Sequence, residues 1–257
     1  MTRVISVIGG KGGVGKTTLV ANLSAALAGL GNEVVAVDGN LTTPNLGLHL
    51  GFHLADKTLH DVLRGNTKIE RATYPHPLGF KVVPASMSVK DLTNVDVGKL
   101  PSKILGLYGK ADYVILDSAA GLGREAVSAI QSADEILLIT NPDLPSVADA
   151  LKTARLSENL NKKVLGVVVN RVKNRWEELT RRDIEKTIGH RVIAEIPNDS
   201  KVAESIHVKT PLVSYDMHSP AAVEFNRLAH AIDGKEFAYT KPRSFKLFDR
   251  LLDWVSR

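Results

Sequence analysis

A short apolar run, Val4–Ile8, leads directly into Gly9-Gly10-Lys11-Gly12-Gly13-Val14-Gly15-Lys16-Thr17-Thr18, and then into the apolar-rich stretch Leu19–Leu27. The order is strand, glycine-rich loop, helix. Few folds place those three pieces in that succession. Gly10, Gly15, Lys16 and Thr17 satisfy the phosphate-binding pattern G-x-x-x-x-G-K-[ST]. Glycines let the backbone bend so that several N–H groups converge on one phosphate, and a helix starting at Lys16 adds the positive end of its dipole. Lys16 offers a charge to the outer phosphates, and the Thr17 hydroxyl is placed to reach Mg²⁺. The candidate phosphate cradle is therefore Gly10, Lys11, Gly12, Gly13, Val14, Gly15, Lys16, Thr17 and Thr18.

Downstream, strands and helices alternate nearly throughout, which implies an α/β fold with a mostly parallel sheet covered on both faces. Strands are expected at 4–8, 33–37, 80–84, 113–116, 135–140, 164–170 and 192–196, mostly as continuous apolar runs suited to burial on both sides. Helices are expected to start near Lys16, Val97, Arg124, Ser146, Trp176, Ser200 and Pro220. The chain has 257 residues, no cysteine and a net charge of +5. Disulfides, thiolate metal sites and cysteine nucleophiles are excluded. The first strand begins almost at residue 1, leaving no room for a signal peptide, and no apolar run approaches a membrane span, so a cytoplasmic protein is expected. The domain is placed at 1–234, followed by a linker over 235–243 and a separate helix over 244–257.

Several strand ends carry polar residues, where open parallel sheets bind ligands. Asp38 ends the second strand, followed by Gly39-Asn40. It reads either as a switch facing the γ-phosphate or as a cap for the next turn. Tyr113–Leu116 followed by Asp117 makes a strand whose terminal carboxylate would hold Mg²⁺ through water, with Gly121 freeing the loop beyond it. Asn170 ends another strand; its amide suits a purine edge or a turn equally well. Pro197, Asn198 and Asp199 close the last strand. In Asn141–Ser146, Asp143 or Ser146 would cap a helix. The eight histidines show no metal-ligand spacing. The basic residues Lys173, Arg175, Arg181 and Arg182 alternate with Glu177, Glu178, Asp183 and Glu185, a solvated face rather than a nucleic-acid surface.

On these residues the chain resembles the deviant-Walker ATPases, the group of MinD, ParA and the nitrogenase iron protein, and within it the archaeal MinD-type members. The loop matches K-G-G-x-G-K-T-T, with Lys11 as the specific element. The resemblance extends to Asp38…Pro44-Asn45-Leu46, Asp117…Ala120-Gly121, Thr140-Asn141-Pro142, Val169-Asn170-Arg171 and Ile196-Pro197, nearly the full length. It implies a three-layer P-loop fold, ATP or ADP with Mg²⁺ as cofactors, ATP hydrolysis, and a homodimer in the ATP state. It implies that Lys11 reaches the partner's phosphates, that Asn170 contacts adenine, and that Pro197 and Asp199 lie near the base. It also implies a protein regulator or cargo and a role in positioning division or other polar machinery. Alternatives within this resemblance are a ParA-like mover of DNA or protein cargo, and a non-hydrolysing scaffold. One departure is Asn40, where the group usually has Asp. Asn accepts a hydrogen bond from water but cannot take a proton, so slow hydrolysis and a long-lived ATP-bound dimer are expected. The smaller departure, Ala119 in place of Pro, should matter little.

At the C-terminus, stepping 100° per residue places Phe245, Leu247, Phe248, Leu251, Leu252, Trp254 and Val255 on one half of a helix. Lys246, Asp249, Arg250, Asp253, Ser256 and Arg257 take the other half. Such a helix suits reversible insertion at the inner face of a membrane, where two copies on one dimer would bind far better than one. The same face would equally suit packing on the domain or on a partner.

Overall fold

The computed structural model describes residues 1–52, 54–92 and 95–239. The expected C-terminal helix lies outside them. In chain order the elements are β1 (Arg3–Ile8), α1 (Lys16–Gly29), β2 (Val34–Asp38), α2 (Leu46–Leu50), α3 (Leu59–Arg64), β3 (Tyr74–Pro75) and β4 (Lys81–Val83). Then come α4 (Leu100–Ile104), β5 (Tyr113–Asp117), α5 (Arg124–Ser132), β6 (Glu135–Thr140), α6 (Leu144–Asn159) and β7 (Lys163–Val172). The last are α7 (Arg181–Ile188), β8 (Val192–Pro197), α8 (Lys201–His207), α9 (Leu212–Tyr215) and α10 (Pro220–Asp233).

The strands form one sheet in the order β3-β4-β2-β5-β1-β6-β7-β8. Only the β3–β4 pair is antiparallel. β1 lies between β5 and β6, so the loop after it opens where the chain changes direction across the sheet. That crevice is the ligand position of open parallel sheets. Each strand feeds both faces by its two-residue period. In β1, Val4 and Ile8 enter one core with α3, α4, α5, α6 and α7, while Ile5 and Val7 enter the other with α1, α2, α9 and α10. Helix α1 is buried over most of its length, because α10 covers it from outside. A helix buried on nearly all sides holds its N-terminus, and the glycine loop before it, in a fixed place.

The expected strands all form, with ends moved by one or two residues and the short edge strand β3 added. Four helix starts differ. The one expected near Val97 opens as a 3-10 turn over Val97–Lys99 that leads into α4 at Leu100. α6 begins at Leu144, two residues early, because Asp143 caps it: Ser146 N donates to Asp143 Oδ1 at 2.9 Å. α8 begins at Lys201, with Ser200 in the capping position. Trp176 starts no helix. The Glu178 carboxylate accepts from the amides of Lys173 and Arg175 and folds that stretch into a turn. The helix starts instead at Arg181, where Thr180 and Asp183 form a reciprocal capping box. Residues 235–239 have no regular secondary structure and fold back on α10, with the Phe237 ring 4.9 Å from that of His230.

Candidate functional site

Two glycines of the loop are demanded by contact. A Cβ on Gly10 would lie 2.5 Å from the Asp149 carbonyl oxygen on α6. Gly15 has φ +103°, and a Cβ there would lie 2.2 Å from Asn170 Nδ2. That same nitrogen donates to the Val14 carbonyl at 2.7 Å. The loop is thus pressed between α6 and the end of β7. The first bond of the α1 ladder is Leu19 N to Gly15 O, 2.9 Å. The N–H groups of Lys16, Thr17 and Thr18 precede that ladder and are left for a ligand. No acidic side chain occupies the first turn of α1. An uncapped helix N-terminus under a glycine loop is an anion site.

Beneath the loop, Thr17 Oγ1 donates to Asp117 Oδ2 at 2.6 Å. Asp117 is fully buried, and its Oδ1 has no hydrogen-bond partner among the described residues. Burial pushes its pKa up to about 6, against the Thr17 hydrogen bond and the Lys16 charge, which both lower it. Asp38 faces Asp117 across adjacent strands, in register. It too is fully buried, and burial together with the Asp117 charge holds its pKa well above the ordinary carboxylate value. Lys16 is buried as well. Burial lowers its pKa, opposed by Asp117. Its Nζ donates to the Lys11 carbonyl at 3.3 Å, leaving donor capacity for an anion. Lys11 itself is exposed at the tip of the loop.

The open polar atom of Asp117 beside the Thr17 hydroxyl fits a hard cation. No group of three His, Cys, Asp or Glu side chains that could hold a metal occurs among the described residues. A metal here would take most of its oxygens from phosphates and water, as Mg²⁺ does.

Two clefts meet at the loop. One, of about 340 Å³, is lined by Gly12, Gly13, Lys16, Thr17, Asn40 and His49 among others. The second, of about 310 Å³, is lined by Asn170, Pro197, Asn198, Asp199, Val202 and Phe225 among others. The first matches a polyphosphate in its donors, the second a flat base in its mixed apolar and amide walls.

The site residues expected from the sequence converge here, with three refinements. Asp38 is sealed from the cleft, and its oxygens accept from Leu46 N at 3.0 Å, at the start of α2, and from Asn40 N at 3.3 Å. Asn40 does line the phosphate cleft, but its side chain is engaged with Thr43. Its Nδ2 donates to the Thr43 carbonyl at 2.6 Å, and its Oδ1 accepts from Thr43 Oγ1 at 3.1 Å. Asp199 lines the base cleft, yet its carboxylate accepts from Lys201 N at 2.9 Å and Ala221 N at 3.3 Å, fixing α8 and α10. Two participants were not singled out from sequence. His49 lines the phosphate cleft, its pKa lowered by burial. Glu125 accepts from Leu41 N at 3.1 Å and from the Thr42 hydroxyl, tying the loop after β2 to α5. No local pattern marks either one.

The fold and this cradle define a P-loop nucleotide-binding protein of the parallel α/β type. Residues 5–212 match the family model described as the CobQ/CobB/MinD/ParA nucleotide binding domain. The chain belongs to that family, in its MinD-like branch of ATPases. It is 36% identical over 231 residues to an ATP-binding protein of Methanocaldococcus jannaschii, covering 90% of this chain and 88% of that one. It superposes on the septum site-determining protein MinD of Pyrococcus horikoshii, complexed with Mg-ADP, at TM-score 0.88 and 37% identity, covering 91% of this chain and 96% of that one. It also superposes on MinD in the MinC:MinD cell division complex of Aquifex aeolicus, at TM-score 0.82 and 30% identity, covering 93% and 98%.

The buried carboxylates have a consequence for stability. The folded chain without ligand keeps protons on Asp117 that the unfolded chain has released above about pH 4. This group's contribution is present below that value and is lost as pH rises through about 6. Asp117→Asn should therefore raise the unfolding free energy of the ligand-free protein at pH 7 by on the order of 1–3 kcal/mol. It should raise it little at pH 4. Urea unfolding at the two pH values measures the difference.

Proposed function

We propose that this protein is an ATP-switched ATPase of MinD type. It binds ATP with Mg²⁺, pairs with a second copy of itself across the phosphate cleft, and as a pair settles on a membrane surface through segment 244–257. There it would position partner proteins of the division machinery. The observation that carries the reading is the stacked arrangement at the loop: Lys11 exposed at its tip, Lys16 buried within it, and Thr17 bonded to Asp117 below. Lys16 would hold the outer phosphates, and Thr17 with Asp117 would hold Mg²⁺, directly and through water. A bound Mg²⁺ supplies charge neutralisation for phosphoryl transfer. Lys11 has no carboxylate to occupy it among the described residues, and its place at the surface suits delivery to a partner's phosphates. Supplying that cation from the second subunit would make hydrolysis depend on pairing.

Family membership supports the ATPase reading, and the Pyrococcus relative with Mg-ADP supports the cofactors. The Aquifex complex supports a protein partner of division type. Asn170 and Pro197 would frame the adenine, with Asp199 fixing the wall behind it. No helix among the described residues is long and apolar enough to cross a membrane, so attachment would rest on the 244–257 segment. A domain boundary near 234 is supported by Gly234, which closes α10 in a left-handed conformation, φ +71°.

Turnover should be slow, because the polar side chain at the phosphate cleft is an amide bound to its own loop. Lys11→Ala should abolish ATP-induced dimerisation and ATPase activity while leaving ADP affinity within about threefold, since a partner-directed cation adds little to binding within one subunit. Size-exclusion chromatography with and without ATP, together with ADP calorimetry, measures both. Asn40→Asp should raise ATP turnover about tenfold or more, a conservative share of what general base catalysis supplies. Equal rates would remove the argument from Asn40. Deleting 244–257 should abolish ATP-dependent co-sedimentation with anionic liposomes while ATP binding survives. Undiminished sedimentation would refute the membrane assignment.

A further inference from the structure

Arg171 adopts φ +59°, in the left-handed region. For a non-glycine residue this costs about 1 kcal/mol or more, and such residues gather at ligand sites where the surroundings hold them in place. The surroundings here are a bulge. The pairing of β7 with β8 shifts register between Val169 and Val172, and the strands rejoin where Asn198 N donates to Val172 O at 2.9 Å. A bulge at a strand end re-aims a side chain. Asn170, on one side of Arg171, is pinned to the glycine loop through Val14. Arg171 is therefore fixed at both flanks while its own side chain remains exposed.

Its position relative to the two clefts is specific. Gly15, Thr18, Arg171 and Ile206 line both the phosphate cleft and the base cleft. These four residues form the neck between them, and Arg171 is the charged member. Two of the arginines that follow are occupied: Arg175 pairs with Glu177, and Arg181 with Glu185 and Glu195. Arg171 has no carboxylate partner among the described residues. A nucleotide filling both clefts would pass its ribose and α-phosphate through the neck.

We propose that Arg171 is a nucleotide-binding residue whose guanidinium takes the α-phosphate, the group shared by ATP and ADP. The planar fork of arginine suits two oxygens of one phosphate. Lys16 would serve the outer phosphates from within the loop, and Arg171 the inner one from the opposite wall. The left-handed backbone and the bulge exist, on this account, to bring the guanidinium over the neck. The inference rests on the nucleotide reading of the site and adds a contact that the loop motif does not contain.

The test is calorimetric ADP binding to the full chain and to Arg171→Ala, Arg171→Gly and Arg171→Lys, with steady-state ATPase kinetics and thermal melting on each. Arg171→Ala should weaken ADP about ten- to hundredfold, as expected for losing a charge-assisted contact. It should raise the KM for ATP by a similar factor while kcat changes by less than about twofold. Arg171→Gly removes the left-handed strain, so it should melt higher than Arg171→Ala and yet bind ADP as poorly. Arg171→Lys should recover part of the affinity. The inference is overturned if folded Arg171→Ala binds ADP as tightly as the wild type. It is also overturned if Arg171→Gly alone keeps full affinity, since backbone and not charge would then matter. If the wild type fails to bind ADP, the nucleotide reading falls first and this inference with it.

Discussion

Asp38 and Asp117 stand side by side at the ends of neighbouring parallel strands, both fully buried, beneath a single buried lysine. Two carboxylates and one ammonium in a dry place do not balance. Burial raises the pKa of the acids and lowers that of the lysine, so each group is pushed toward neutrality. A polyphosphate alone would add negative charge to this stack. A divalent cation alone would find one free carboxylate oxygen and a hydroxyl. Each is a poor ligand by itself, and together they neutralise one another and the acids. The geometry under the loop therefore favours a nucleotide that arrives with its metal. The rest of the site depends on that balance, because the glycine loop is held at a fixed height above it by α6 and Asn170.

The loop that follows β2 is attached at three points. Asp38 accepts from Leu46 N, Asn40 closes on Thr43, and Glu125 of α5 accepts from Leu41 N. The third attachment spans two elements, since α5 follows the loop that leaves Asp117. The strands β2 and β5 are adjacent, so their two loops leave the sheet as neighbours. A change at the outer phosphates would meet Asn40 directly and reach α5 through Glu125. The amide of Asn40 has a specific part here. Its Nδ2 donates to a carbonyl oxygen, which a carboxylate at the same position could not do. Asn40, where the resemblance leads one to expect Asp, is thus the residue that closes the loop on itself. On the proposed function, slow turnover and the closed loop would share that one residue.

How much of this was legible in the sequence follows from range. The phosphate loop, the strand ending in Asp117 and the alternation of strands and helices are local patterns, and each is found where the residues placed it. The roles of Asp38 and Asp199 were less legible, because an acid at a strand end can face the ligand or cap the next helix. Both accept backbone amides brought near by tertiary folding, and Asp199 does so while lining the base cleft. Trp176 misled because an apolar residue before a charged run looks like a helix start. The reciprocal Thr180–Asp183 box, four residues on, was the stronger signal. Glu125, His49 and the bulge at Arg171 have no sequence signature. Each is defined by what another element presses against it.

The path of the described C-terminus bears on how a membrane segment could respond to nucleotide. α10 begins beside Asp199, at the ligand end of the sheet, where Ala221 N donates to that carboxylate. It ends at the opposite edge: Tyr113, the first residue of β5, donates from its hydroxyl to Asp233, and Arg3 Nη1 donates to the Ile232 carbonyl at 2.8 Å. A chain leaving there would be remote from the clefts. Residues 235–239 turn back instead. Lys235 Nζ donates to the Leu30 carbonyl at 3.1 Å, Phe237 packs on His230, and the ring of Tyr239 lies parallel to that of Phe237, 6.3 Å away. Tyr239 then comes within 6.4 Å of the His218 ring, just before α10 begins. The last described residue has thus returned along α10 toward the end of the sheet that carries the base cleft. α10 itself contributes Phe225 to that cleft. The element that walls this cleft and the element that carries the chain toward its terminus are the same helix. On the proposed function, α10 gives ligand binding and the C-terminal segment a shared rigid support, in addition to the two-copy avidity that dimerisation would supply.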